Sequence, residues 1–197
     1  MNNKKVLLIL ILVFVIVLGG AYTLYTNLGS TVQADSLAVQ EKVETEKNET
    51  EAAQEEVEES VLGPDFVVYD ADGNEVRLHD FLGKPIVLNF WASWCGPCQL
   101  EMPDFEAKYL ELGEEVQFLM VNVTDGSRET VETASQFISE KGYSFPVYFD
   151  TDRSAVMAYG VYSYPTTYFI DRNGEPLARA SGAIGAETLQ KGIDIIK

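Results

Sequence analysis

Cysteine and histidine are nearly absent from this sequence, with two Cys and one His in 197 residues. Two Cys allow one bridge at most, which excludes a disulfide-stapled scaffold. Together with a single His they cannot complete a four-ligand zinc site without carboxylates. Positive charge is scarce too: 14 Lys plus Arg stand against 31 Asp plus Glu, for a net charge of −17. Phosphate backbones are held by clustered Lys and Arg, so the balance argues against a nucleic-acid binder. It also argues against docking on anionic lipid by charge. The chain has no dinucleotide loop, no phosphate loop, no Ser-His-Asp set and no internal repeat.

What is present divides into three unlike segments, 1–26, 27–60 and 61–197. Lys4 and Lys5 precede an apolar run, and the stretch from Val6 to Tyr25 carries no charge. Twenty helical residues span about 30 Å, enough to cross a bilayer core. Positive residues ahead of the span put the N-terminus in the cytoplasm and the rest of the chain outside it. Val32-Gln33-Ala34 offers small residues for a signal-peptidase cut. It lies about a dozen residues beyond the run, which favours a retained anchor over a removable signal. From Asp35 to Ser60 there are ten acidic residues against Lys42 and Lys47, and no aromatic. Such a stretch cannot bury enough surface to offset its ordering entropy, so a self-repelling, disordered tether is expected. Residues 61–197 hold both Cys and nearly all aromatics, a good size for one folded domain.

Within that domain, strands are expected at Phe66–Tyr69, Glu75–Leu78, Pro85–Trp91, Val116–Val123, Pro146–Phe149, Thr166–Asp171 and Leu177–Ala180. Helices are expected from the Cys pair to about Leu112, then at Arg128–Lys141, Arg153–Tyr159 and Ala186–Ile196. Pro103 inside the first helix predicts a kink. Asp70 to Asn74 and Arg172 to Glu175 are turn chemistry. His79 reads as a turn residue. Alternating strands and helices closed by a hairpin predict an α/β fold with a mixed central sheet flanked by helices.

Cys95-Gly96-Pro97-Cys98 lies where a buried strand meets a helix, a specific redox arrangement. The attacking species is a thiolate, and a free thiol has a pKa of about 8.5. At a helix N-terminus, unpaired N–H groups and the macrodipole favour the thiolate of Cys95. Pro97 fits the first turn, where its missing N–H costs nothing. Cys98 falls about one turn on, placed to resolve a mixed disulfide. A purely structural bridge would close so short a loop that it restrains the unfolded chain little.

Asn89-Phe90-Trp91-Ala92-Ser93-Trp94-Cys95-Gly96-Pro97-Cys98 resembles the active-site strand and loop of thioredoxin. The wider pattern resembles the TlpA/ResA-type thiol-disulfide oxidoreductases of the bacterial cell envelope. Gly83-Lys84-Pro85, Glu101-x-Pro103 and Tyr164-Pro165-Thr166-Thr167 carry that likeness, which covers roughly Gly63 to Lys197. The resemblance implies a thioredoxin-like fold with an extra N-terminal hairpin and a central αβ insertion near Asp125 to Asp150. It implies a cis Tyr164–Pro165 bond facing the Cys pair, with the Tyr164 backbone able to pair with an extended client. Trp94, Gly96 and Pro97 complete the expected client surface.

Thioredoxins keep a buried Asp where this chain has Asn89, which cannot titrate. Glu101 lies one turn beyond Cys98 on the same side of the helix, and ResA-type relatives carry a Glu there. Desolvation and nearby thiolate raise such a carboxyl's pKa, suiting it to proton transfer with Cys98.

The resemblance implies a membrane-anchored, extracytoplasmic reductase of protein disulfides whose only redox group is Cys95–Cys98, without metal or cofactor. Apocytochrome c, in cytochrome c maturation, and methionine sulfoxide reductase are the implied clients. A CcdA/DsbD-type membrane protein is the implied electron donor, and a monomer is expected. Three rivals stand beside it. An envelope oxidase would form disulfides instead. A peroxiredoxin-like peroxidase needs a Thr where this chain has Ala92. A non-catalytic binding domain would have no use for an intact Cys pair.

Overall fold

The computed structural model of the chain describes residues 37–39 and 62–197. Eight strands form one mixed sheet in the order β1-β8-β7-β4-β5-β6-β2-β3. They are β1 (Leu37–Val39), β2 (Val67–Tyr69), β3 (Glu75–Arg77), β4 (Ile86–Trp91), β5 (Gln117–Asn122), β6 (Val147–Phe149), β7 (Thr166–Ile170) and β8 (Pro176–Ser181). The helices are α1 (Gly96–Leu112), α2 (Val131–Lys141), α3 (Ser154–Ala158) and α4 (Ala186–Ile196). Strands β4, β5 and β6 run parallel, and β7 lies antiparallel to β4. The β2–β3 hairpin adds to β6, again antiparallel.

The central strands are buried on both faces because apolar residues occupy both parities. Val87 and Trp91 of β4 face a core that includes Met102 and Phe105 of α1 and Leu189 and Ile193 of α4. Ile86, Leu88 and Phe90 face the opposite core, with Phe66, Tyr159 and Tyr168. Strand period 2 therefore places Asn89 on the α1 side of the sheet. The same parity puts Thr167, its partner in register on β7, on that side.

Most expected elements are found within two residues of their expected ends. Leu78 belongs to a 3-10 turn (Leu78–Phe81) rather than to β3. His79 sits in that turn, its Nε2 3.2 Å from the Gly63 carbonyl. Helix α1 runs through Pro103 as one element. The larger correction is at α2, expected from Arg128 but starting at Val131. Thr130 is its N-cap, accepting the Thr133 N–H at 3.2 Å, and this detaches Arg128 and Glu129 from the helix. Gly142, at φ 72°, closes α2.

Residues 37–39 fall within the stretch read as a tether, and they form a strand paired with Ala178 to Ala180. The rest of that stretch and the apolar run lie outside the described residues, as does the question of anchor or signal.

Gly192 lets α4 pack directly on β7. A Cβ there would clash with one edge of the ring of Phe169, a fully buried residue. Gly192→Ala is expected to lower stability by about 1–3 kcal/mol through overpacking. Helix propensity alone predicts the opposite sign, a gain of about 1 kcal/mol. Thermal unfolding decides between them, and a raised midpoint would contradict this packing.

Candidate redox-active site

Strand β4 ends at Trp91, and after four intervening residues the chain enters α1 at Gly96. Cys95 is the N-cap of α1, with extended backbone (φ −82°, ψ 105°) and Pro97 in the first turn. Cys95 and Cys98 are disulfide-bonded, their Cα atoms 5.3 Å apart. The Cys98 N–H donates to the Cys95 sulfur at 3.2 Å. This is one of the orphan donors of the helix end, and on reduction it is in place for a thiolate. The two sulfurs are not equivalent: Cys95 is 6% exposed and Cys98 0%. Gly96 and Pro97 between them are exposed.

Glu101 is buried, 2% exposed. Its Oε1 accepts from Asn89 Nδ2 at 2.8 Å and its Oε2 from the Ile184 N–H at 3.0 Å. Asn89 Nδ2 also donates to Thr167 Oγ1 at 3.0 Å. A carboxylate one turn below the Cys pair is thus tied to β4, β7 and the loop before α4.

A second buried carboxylate went unnoticed in the sequence. Glu129 has 0% exposure. It accepts the Ser93 N–H at 2.7 Å, the Ser93 hydroxyl at 2.6 Å and Asn122 Nδ2 at 2.6 Å. Ser93 lies two residues before Cys95, so Glu129 holds the approach to the Cys pair while Glu101 holds the helix after it. Each carboxylate is met by an asparagine from neighbouring strands, Asn89 on β4 and Asn122 on β5. The available signal was Thr130 with Thr133 as a capping pair. Reading α2 from Val131 would have freed Arg128 and Glu129 to face the loop.

Trp94 is 39% exposed beside the disulfide. The Arg128 guanidinium lies 3.7 Å from its ring centroid. The Tyr164 ring meets Trp94 edge-on, centroids 6.3 Å apart. The Tyr164–Pro165 bond is cis. Burial pushes the Tyr164 phenol pKa up, the charge of Arg153 opposes this, and Asp150 and Asp125 add to it. Trp91 and Phe90 are core residues, fully buried. Among the described residues no cluster of three or more His, Cys, Asp or Glu is arranged to hold a metal.

Residues 62–175 match the AhpC/TSA family. The thiol-disulfide oxidoreductase ResA of Geobacillus thermodenitrificans is 37% identical over 135 residues, covering 68% of this chain and 75% of that protein. ResA of Bacillus subtilis is 33% identical over 147 residues, covering 74% of this chain and 80% of its own length. Among solved structures, the pneumococcal exposed lipoprotein thioredoxin Etrx1 of Streptococcus pneumoniae superposes with a TM-score of 0.57 at 32% identity. That match covers 66% of this chain and 98% of the other. StoA of Bacillus subtilis gives 0.58 at 25% identity, covering 66% and 97%.

Glu129→Ala removes the acceptor from three donors, two of them backbone or hydroxyl groups of Ser93. The expected cost is about 2–4 kcal/mol in unfolding free energy, because buried donors lose their partner. Thiol exchange at Cys95 should slow as well, as the loop before it loosens. Glu129→Gln keeps the acceptor oxygen and should recover most of both. Denaturant unfolding combined with an exchange assay checks this. Wild-type stability and rate in Glu129→Ala would show that the carboxylate does not hold the loop.

Proposed function

The chain belongs to the AhpC/TSA family and is a thiol-disulfide oxidoreductase of the ResA type, and from that premise we propose that it works as a membrane-tethered, extracytoplasmic reductase of protein disulfides. The observation that carries the reading is the division between Cys95, at the helix end and nearer the surface, and Cys98, fully enclosed one turn on.

In the reducing direction the Cys95 thiolate attacks one sulfur of a client disulfide. A mixed disulfide forms and the client's other sulfur leaves as a thiolate that takes up a proton. Cys98 loses its proton, its sulfur attacks Cys95, and the Cys95–Cys98 bond forms as the second client thiol departs. Two electrons pass from the Cys pair to the client. Glu101 accepts the Cys98 proton in this reading, a role supported by its burial one turn beyond Cys98. Trp94, Gly96, Pro97 and the Tyr164–Pro165 backbone form the surface on which the client lies. The spent pair is recharged by a membrane thiol carrier of the CcdA/DsbD type. Apocytochrome c and a methionine sulfoxide reductase are the proposed clients, and the protein acts as a monomer.

The Gly-Pro spacer, which resembles the thioredoxin spacer, supports reduction over oxidation. The apolar run of residues 6–25 supports a membrane anchor with the domain outside the cytoplasm. Ala92, buried where a peroxidase of this family needs a Thr, weighs against the peroxidase reading.

Cys98→Ser in cells should accumulate a covalent complex through Cys95, releasable by thiol reagents, while Cys95→Ser accumulates none. Glu101→Gln should slow the resolving step by about a hundredfold. The purified protein should have a reduction potential nearer about −270 mV than about −120 mV. A potential at the oxidising end would reverse the proposed direction. Complexes trapped equally by both Cys variants would overturn the assigned roles.

A further inference from the structure

We infer that Arg128 and Arg153 form a cationic rim around the redox loop that selects clients carrying a carboxylate beside the exchanging cysteine. The inference deepens the proposed reading and rests on it only for the direction of exchange.

Topology brings the two arginines together. Strands β4, β5 and β6 are parallel, so the segments leaving their C-terminal ends share one end of the sheet. The first carries Trp94 and Cys95, the second Arg128 and the third Arg153. Arg128 lies over the Trp94 ring and Trp94 meets Tyr164 edge-on, so the segment after β5 reaches the redox loop by contact, while Arg153 is placed beside it by the parallel strands.

Neither arginine forms a direct ion pair with a carboxylate among the described residues. Among the described residues, Arg128 and Arg153 form none of the ion pairs within 4.0 Å, which join Arg77, Lys108, Lys191 and Lys197 to carboxylates, while Lys84 and Arg172 bond backbone carbonyls and Lys141 and Arg179 lie over aromatic rings. Asp125 and Asp150 are near enough for their charges to act on Arg128 and Arg153, but the oxygens of the nearest acids in sequence are taken up by backbone N–H groups. Asp125 accepts the N–H groups of Ser127, Arg128 and Glu129, and Asp152 accepts that of Ser154. Asp150 is buried and bonds the N–H groups of Ala155 and Val156. A guanidinium held over an indole by a cation–π contact still has N–H donors with which to bind a carboxylate, two at once in the bidentate arrangement.

Arg153 also holds a costly backbone conformation. Its φ is 66°, and it is the only non-glycine residue with positive φ among those described. A bulky side chain in that region persists where its surroundings require it. Segments 61–197 carry ten basic and 21 acidic residues. Two arginines without a direct ion pair, at the redox loop of so acidic a domain, draw an acidic client segment to the place where exchange occurs.

The test uses the full-length chain and disulfide-bonded peptides identical except for Asp or Lys beside the cysteine. At low salt, exchange with the Asp peptide should be about tenfold faster than with the Lys peptide. Arg128→Gln combined with Arg153→Gln should bring the ratio close to one. The paired Lys variants should keep it and the paired Glu variants should invert it. High salt should collapse it. Equal rates for the two peptides with the wild-type chain would overturn the inference, as would a ratio unchanged in the Gln variant. A chain that oxidises the peptides would overturn the reductase reading instead, and the ratio between peptides would still decide this one.

Discussion

The chemistry of this protein depends on how abruptly β4 gives way to α1. A strand enclosed on both faces ends at Trp91, and the helix has begun by Gly96. Only a change that sharp places Cys95 where its sulfur meets an unpaired helix N–H, at 3.2 Å from Cys98 N. The same change sends Cys98 inward, one turn along the helix. One backbone feature therefore makes two chemically identical residues different, one at the helix end and partly exposed and one fully enclosed, which is the basis for proposing that the first attacks and the second resolves. Packing then keeps the junction fixed. The helix cannot slide while Met102 and Phe105 lie in the core and Gly192 lets α4 close on Phe169.

Two buried carboxylates bracket that junction. Sheet parity directs Asn89 and Asn122 toward the α1 side, and each donates to one glutamate. Glu101 is reached from the helix and Glu129 from the loop after β5. Burying either as an anion is costly unless its oxygens are bonded, and both have donors from two elements. The electrostatic effects on the sulfurs oppose one another: the helix end favours a thiolate, while a buried carboxylate nearby disfavours it. The net charge of −17 has little to do with this balance, since it is spread over the surface and the N-terminal stretch.

Much of this was legible in the sequence because the signals were local. The apolar run from Pro85 to Trp91 suits a strand buried on both faces, and Cys-Gly-Pro-Cys after it suits a helix start with Pro97 in the first turn. Turn residues fixed both hairpins. Glu101 was legible because helical spacing from Cys98 is fixed by geometry. The Asn89–Thr167 contact was not, since it depends on register between strands far apart in the chain. Glu129 and Arg128 were missed for a different reason. Both fit a helical pattern well, and only the Thr130 cap reveals that the helix starts after them. The pairing of Leu37–Val39 with β8 had no signal in composition, because three residues cannot outweigh the acidic stretch around them.

The central claim is that position in the helix end, not residue type, divides the labour between the two sulfurs. Timed alkylation of the reduced protein by a bulky thiol reagent, read at each cysteine by peptide mapping, tests it most directly. The account predicts that Cys95 is modified first and that Cys98 follows much more slowly. Equal rates, or modification of Cys98 first, would contradict it.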